Sequence, residues 1–193
     1  MTVREEKSSL PRTLDEFLNW EAEDGYKYEW NDGELIRFSG MKKKEYYIFD
    51  LLNQLFYTNR LILNGSLISE PDVMLSGMPP AGIQMRRPDI AYFTREQIYE
   101  GHRGEDVIQA FVVELISAND DIEKVEEKLI EYFKAGVKVV WHVMPINKRV
   151  YVYTSSKTVK ICEGEDICSA APVLEGFEIS AENLFTINPP DLP

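Results

Sequence analysis

The chain has 193 residues, of which 44% are hydrophobic and 11% are aromatic, and its formal net charge is −12 at pH 7. This size and composition are typical of one folded domain rather than of a disordered chain. The acidic balance disfavours general binding to nucleic acid, which depends on Lys and Arg contacts with phosphate, so such a role needs a local patch or a divalent cation.

The sequence predicts neither a membrane span nor an N-terminal signal peptide. No window approaches the ~20 consecutive apolar residues of a membrane span, and the N-terminus is charged where a signal peptide has its apolar region. Cys162 and Cys168 lack the Cys and His neighbours of a zinc site, so we expect free thiols in a reducing compartment. We therefore expect a cytoplasmic protein without a membrane segment.

The first part of the chain predicts a helix, a hairpin and a second helix. Residues 1–12 are expected to be a flexible lead, and Thr13 and Glu16 form a capping box that opens a short helix to about Trp20. Alternating segments at 26–30 and 34–38 flank an Asp-Gly turn, which predicts a hairpin. Apolar residues at helical spacing then predict a helix over residues 43–58. Lysines 42–44 at its start are either a solvated face or a phosphate-contacting patch.

The rest of the chain predicts strands around one long helix. Short strands are expected at 66–68, 73–75 and 90–93, with a turn at 78–82, a helical turn at 94–98 and a polar loop at 99–107. A helix over residues 121–135 separates strands at 111–116 and 137–143, and further short strands and a Pro-rich tail at 187–193 follow. This order predicts a single α+β domain over residues 13–186 with a mixed sheet.

One ionisable side chain, Glu114, interrupts an otherwise apolar strand. Burying an unpaired carboxylate costs several kcal/mol or more, so a Glu in a core strand normally faces a cation or a strong donor. The alternative is that Glu114 lies where the strand leaves the core and faces water. Asp89, after Pro88, similarly precedes a short apolar strand. His142, by contrast, is expected to be a core or strand-face histidine because it has no second ligand at metal spacing.

Two carboxylates at one end of adjacent strands would bind Mg²⁺ or Mn²⁺, since hard cations take oxygen ligands. A nearby lysine would complete a site for phosphodiester hydrolysis. The helix after Glu114 offers Lys124 and Lys128, which lie on one flank. The alternative is that both lysines form weak, solvated ion pairs with the Glu residues beside them.

The order and spacing of these motifs resemble the putative restriction endonuclease family within the PD-(D/E)XK nuclease superfamily. The main matching segments are Pro88-Asp89, Val112-Val113-Glu114-Leu115-Ile116-Ser117, Glu127-Lys128-Leu129 and Ala135-Gly136-Val137. Further matches begin at residues 13–18, include 28–35 and continue to 173–179 and 184–185, so the resemblance covers most of the domain.

The resemblance implies an αβββαβ core with a mixed sheet, to which this chain adds an N-terminal hairpin and C-terminal strands. It implies Asp89 and Glu114 as metal ligands. The superfamily lysine, two residues after the Glu, is replaced here by Ile116, and the family's helix-borne lysine corresponds to Lys128. Glu45 stands near the point where the family commonly has a His, and it is the expected auxiliary ligand. The resemblance also implies Mg²⁺ dependence, DNA as substrate and a homodimer.

Three functions therefore remain open from the sequence. The leading hypothesis is a metal-dependent DNA endonuclease with Asp89, Glu114 and Lys128 as catalytic residues. The second is a non-catalytic binding or assembly module on the same fold, which the −12 charge favours. The third is a metal-dependent hydrolase of a smaller phosphodiester.

Overall fold

A computed structural model describes residues 10–38, 40–78 and 82–187. The helices of these residues are α1 (Leu14–Leu18), α2 (Tyr46–Thr58), α3 (Arg95–His102), α4 (Ile122–Ala135) and α5 (Ala181–Phe185). The strands are β1 (Lys27–Asn31), β2 (Glu34–Phe38), β3 (Gly65–Ser69), β4 (Val73–Met78), β5 (Gly82–Arg86), β6 (Ile90–Thr94), β7 (Phe111–Leu115), β8 (Val139–Met144), β9 (Arg149–Ser155), β10 (Thr158–Cys162), β11 (Ile167–Ser169) and β12 (Glu178–Ser180). The predicted α+β class is confirmed.

The main sheet has six strands in the order β10-β9-β8-β7-β6-β3. Strands β7 and β8 are parallel and are joined through α4, whereas the other neighbours are antiparallel. A parallel pair needs such a crossover connection, usually a helix. In chain order α2, β3, β6, β7, α4 and β8 form the expected αβββαβ core, and the sheet is mixed, as predicted.

A second sheet, in the order β2-β1-β5-β4, lies outside that core. Its β1–β2 hairpin closes through Asp32 and Gly33, whose φ angles of 47° and 96° suit a two-residue turn. Strand β5 was not predicted from the sequence, where residues around Gly82 were assigned to a turn. This strand is held by pairing with β1 and β4 rather than by local propensity. Residues 79–81 of the predicted turn lie outside the described residues.

Two other expectations need correction. The predicted loop at 99–107 is wrong in its first part because α3 continues to His102, after a capping box in which Thr94 accepts from the Gln97 N–H. Helix α5, expected as short strands and turns, begins where Ser180 accepts from the Asn183 N–H. Residues 1–9 of the predicted lead and 188–193 of the predicted tail lie outside the described residues.

Helix α4 has the strongest local signals in the chain. Asp121 caps its N-terminus by accepting from the Glu123 N–H, and Gly136 ends it in a left-handed conformation with φ of 114°. Leu129 and Tyr132 are buried against Val112 and Val140 of the main sheet. The helix is thereby fixed across β7 and β8, and its N-terminal half lies beside the carboxyl ends of those strands.

The opposite face of the main sheet packs on α2 and the C-terminal segment. Here Phe111 meets Trp141 edge to face, with ring centroids 5.2 Å apart, and Trp141 stacks on Phe177 at 5.9 Å. Ile48, Leu52 and Phe56 of α2 complete this core. None of the helices within the described ranges has the length and apolar character that a membrane crossing requires.

Candidate active site

The four residues that the sequence selected line one cavity of about 860 Å³. Glu114 lies on β7, Asp89 immediately before β6, Lys128 on α4 and Glu45 just before α2. Asp89 and Glu114 lie on strands that pair directly, β6 and β7, and both side chains line the α4 side of the sheet. The alternative in which Glu114 faces water is wrong, since the residue is only 7% exposed.

Lys128 brings a positive charge to Glu114. Its Nζ lies 2.9 Å from Glu114 Oε1 and 2.8 Å from Glu29 Oε1, and it donates to the Arg87 carbonyl oxygen at 3.3 Å. Lys124 is different: it is exposed, and its Nζ lies 3.8 Å from Glu34. The structure therefore places Lys128 in the site. The alternative of a weak, solvated ion pair holds for Lys124 and not for Lys128.

The Glu114–Lys128 pair is buried. Burial raises the pKa of Glu114, and the Lys128 ammonium partly offsets this rise. For Lys128, burial alone would lower the pKa, but the carboxylates of Glu114 and Glu29 outweigh it and raise the pKa. Lys128 is thus an ammonium at neutral pH. Tyr132 fixes the carboxylate by donating its hydroxyl to Glu114 Oε1 at 2.7 Å.

Asp89 is the second carboxylate of the site. Its Oδ2 accepts from the Leu115 N–H at 2.7 Å, next to Glu114 in the chain. Burial and then the charge of Glu114 raise the pKa of Asp89 to about 7. Two acids that share a site resist ionising together. A cation between them would remove this repulsion.

A charged network next to Lys128 was not predicted from the sequence. Arg86 forms a two-pronged contact with Glu131, with Nε–Oε2 and Nη2–Oε1 distances of 2.7 and 2.9 Å, and its Nη1 lies 3.2 Å from Glu29 Oε2. The Arg87 N–H donates to Glu29 Oε1 at 2.7 Å. Burial would raise the pKa of Glu29, but Lys128 and Arg86 outweigh this effect and lower it. A fully buried Arg86 indicates that this network is specifically built.

Glu45 and His142 complete the lining of the cavity. Glu45 is buried, and its Oε2 accepts from the Lys42 N–H at 2.9 Å, so this oxygen also closes the first turn before α2. His142 is opposite Glu114 in the parallel β7–β8 pair. It is buried, as expected, but it also lines the cavity. Burial and then Lys128 lower the pKa of His142 to about 4, so its ring is neutral at pH 7.

The donor set suits a hard cation that keeps much of its water. Within the described part of the chain, no three His, Cys, Asp or Glu side chains form a group that could hold a metal ion. Mg²⁺, however, is usually bound through one or two carboxylates, several waters and substrate phosphate rather than by an all-protein cage. Asp89 and Glu114 match that mode of binding. Burial and then the charge of Glu114 raise the pKa of Asp89, and a cation would offset the second of these effects.

Comparisons with known proteins point to one family and one fold. A family model described as putative restriction endonuclease matches residues 14–182. A crystal structure of a putative nuclease from Anabaena variabilis ATCC 29413 matches with a TM-score of 0.68 and 21% sequence identity, over 91% of this chain and 98% of that one. At this identity the likeness shows a shared fold. No curated protein matches the chain.

Proposed function

Since the chain belongs to the putative restriction endonuclease family, we propose that it is a nuclease that hydrolyses DNA phosphodiester bonds with Mg²⁺ or Mn²⁺. The observation that carries this proposal is the Lys128 ammonium, 2.9 Å from Glu114 in the cavity that Asp89 also lines. A buried charged cluster of this kind costs folding free energy, so its presence in an open cavity favours a functional role.

The residues divide into three roles in this proposal. Asp89 and Glu114 would hold the cation, with Glu45 as an auxiliary acid. When bound, the cation supplies Lewis-acid polarisation of the phosphate and lowers the pKa of coordinated water. Lys128 would offer its ammonium to a phosphate oxygen and neutralise the charge that develops there, after giving up one of its present acceptors. Tyr132 orients Glu114 before the cation binds, through its 2.7 Å hydrogen bond.

The first test is cleavage of supercoiled plasmid and of single-stranded DNA at low salt, with Mg²⁺, with Mn²⁺ and with chelator. Low salt matters because an acidic protein has little electrostatic attraction to DNA, and phosphate contacts weaken as salt rises. We expect cleavage only with metal and its loss in Glu114→Gln, which keeps the side-chain size but removes the charge. Cleavage that persists in Glu114→Gln would indicate a contaminating nuclease.

A pair of lysine variants tests the roles on α4. Lys128→Ala should reduce cleavage by ~10²-fold or more if the ammonium stabilises transition-state charge. Lys124→Ala is the matched control, because it removes an exposed lysine from the same helix, and its cleavage rate should stay within about twofold of the wild type. Equal, small effects of the two substitutions would remove Lys128 from the mechanism.

The second candidate function is a non-catalytic binding or assembly module. The net charge of −12 favours it because a surface of this sign repels DNA. The same experiment separates the two functions. A folded protein that cleaves nothing under any metal condition, and that binds no Mn²⁺ in calorimetry, would support the module.

A further inference from the structure

Lys128 has no hydrogen-bond donor left for a substrate in this structure. An ammonium has three N–H groups, and the described hydrogen-bond acceptors of Lys128 are also three: Glu29, Glu114 and the Arg87 carbonyl oxygen. Glu114 Oε1 is similarly occupied, since it accepts from both Lys128 and Tyr132. If Glu114 turns to a cation, one of the acceptors that hold Lys128 is weakened or lost.

A buried lysine that loses its acceptor would have to leave the site or lose its charge, because an unpaired buried charge is costly. Glu29 is a second carboxylate acceptor that does not depend on Glu114. It lies on β1 of the other sheet and is 4% exposed. The Arg87 N–H donates to Glu29 Oε1 at 2.7 Å, and Arg86 Nη1 lies 3.2 Å from Glu29 Oε2. These two contacts orient Glu29.

The contacts of Glu29 with Arg86 also connect it to α4, the helix that carries Lys128. Arg86 is held at two atoms by Glu131, which lies three residues after Lys128 and therefore on the same side of α4. Glu29, Arg86 and Glu131 thus fix the distance between the β1–β2 hairpin and α4 independently of the main sheet. We propose that Glu29 is the positioning residue of Lys128: it keeps the ammonium at the cavity when Glu114 is occupied elsewhere.

This inference rests on the proposed function only for the role of Lys128 in hydrolysis. Its test uses no activity assay, so that the position of Lys128 is measured independently of nuclease activity. The readout is reductive methylation of lysines in the metal-free protein, followed by peptide mass spectrometry. The proteins are the wild type, Glu29→Gln, Glu114→Gln and the double variant. Lys124, exposed on the same helix, is the internal control and should react equally in all four.

Because either carboxylate can hold the ammonium, each single variant should leave the Lys128 labelling rate within about threefold of the wild type. The double variant should raise it at least about tenfold. Glu34→Gln, which removes an exposed carboxylate from the same hairpin, should leave the labelling rate of Lys128 unchanged. If Glu114→Gln alone labels Lys128 as fast as the double variant does, Glu29 does not hold the lysine and the inference is overturned.

A second arm adds Mn²⁺ and follows the same labelling, with binding checked by calorimetry. In the wild type Lys128 should stay protected, whereas in Glu29→Gln the cation should increase its labelling about tenfold by drawing Glu114 away. Protection that persists in Glu29→Gln with bound Mn²⁺ would contradict the inference. Failure of the wild type to bind Mn²⁺ would defeat the proposed metal site, while the metal-free arm still decides the role of Glu29.

Should the double variant fold poorly in a thermal melt, Glu29→Asp in the Glu114→Gln background replaces it. This change keeps the charge, and therefore the pairing with Arg86, but shortens the side chain that reaches Lys128. The labelling rate of Lys128 should then lie at least about threefold above that of Glu114→Gln alone. An unchanged rate would overturn the inference in this background as well.

Discussion

The two faces of the main sheet are made by alternate residues of the same strands. The α4 face carries buried charged side chains beside its apolar ones, whereas the α2 face is largely aromatic and aliphatic. On β8, Trp141 enters a dry aromatic core beside Phe111 and Phe177. Its neighbour His142 faces the other way, into the cavity that Glu114 and Lys128 line. On β7 the same alternation separates Phe111 from Glu114 by only three positions.

The difference shows which face stabilises the fold and which face carries the chemistry. Burying aromatic and aliphatic side chains stabilises by about 1.5–3 kcal/mol each, so the α2 face contributes the larger part of the folding free energy. Buried ion pairs often contribute nothing net, since desolvation cancels their attraction. A fold that needed only stability would not bury charged side chains on its α4 face.

The largest expected effect is on DNA cleavage, when one charged pair is removed from the α4 face with little change in stability. The double variant Glu114→Gln with Lys128→Met removes both partners of one pair, while Arg86 keeps Glu29 paired. Its unfolding free energy should stay within about 1 kcal/mol of the wild type or rise, whereas DNA cleavage should fall by ~10³-fold or more. Urea unfolding and plasmid cleavage measure the two quantities. A loss of stability above about 3 kcal/mol would contradict the comparison.

The next effect probes the opposite face. Trp141→Ala should lower the unfolding free energy by about 3–5 kcal/mol, because it empties the centre of the aromatic core and removes the Nε1 hydrogen bond to the Ser169 carbonyl oxygen. Trp141→Phe is the matched control and should cost clearly less. Denaturant titration gives both values. A cost of less than about 1 kcal/mol for the alanine variant would mean that this face is not the main source of stability.

The pH dependence of stability sharpens the comparison, because two groups of the α4 face titrate in opposite senses. The pKa of Asp89 is raised to about 7, so its contribution to stability is present below about pH 4 and is lost as the pH rises to about 7. The pKa of His142 is lowered to about 4, so its contribution is present above about pH 6.5 and is lost as the pH falls. In the wild type these two trends oppose each other.

In Asp89→Asn, the contribution of His142 to the pH dependence of stability should no longer be opposed by that of Asp89. With chelator present, the variant should become more stable relative to the wild type by about 3 kcal/mol between pH 4.5 and pH 7.5. Urea unfolding at several pH values measures this difference, and common effects of other carboxylates cancel in it. Parallel stability profiles for the two proteins would show that Asp89 has an ordinary pKa.

The smallest effect concerns the helix that carries the site. Asp121→Ala should cost about 1 kcal/mol of unfolding free energy, because the cap of α4 loses its hydrogen bond to the Glu123 N–H. Glu126→Ala, on the exposed side of the same helix, should change it by less than about 0.5 kcal/mol. Equal costs, measured by denaturant titration, would mean that α4 is held by packing alone.

Local signals were sufficient to predict much of the fold. Helix α4 has a cap at each end and an apolar stripe, and the β1–β2 hairpin has its Asp-Gly turn, so both were predicted close to their observed bounds. The choice of Glu114 followed from the cost of placing a carboxylate in an apolar strand. Helical spacing offered both Lys124 and Lys128, and the family resemblance selected Lys128.

What was missed depends on contacts that are distant in the chain. Strand β5 forms only because β1 and β4 flank it. Glu29 alternates with Tyr28 and Trp30 as an ordinary strand residue does, so no periodicity marks it as the acceptor of Lys128. Arg86 stands two residues before Pro88, as many loop residues do. Only the assembled sheets bring these charges together.

The sequence distances within the charged network also have a consequence for the time course of folding. Arg86 reaches back 57 residues to Glu29 and forward 45 residues to Glu131. Contacts of such range are slow to form because chain entropy must be lost before they stabilise anything. During synthesis, the β1–β2 hairpin and Arg86 leave the ribosome well before α4. The nascent chain therefore carries Arg86 without its Glu131 partner, and the charged network can be completed only after α4 has emerged.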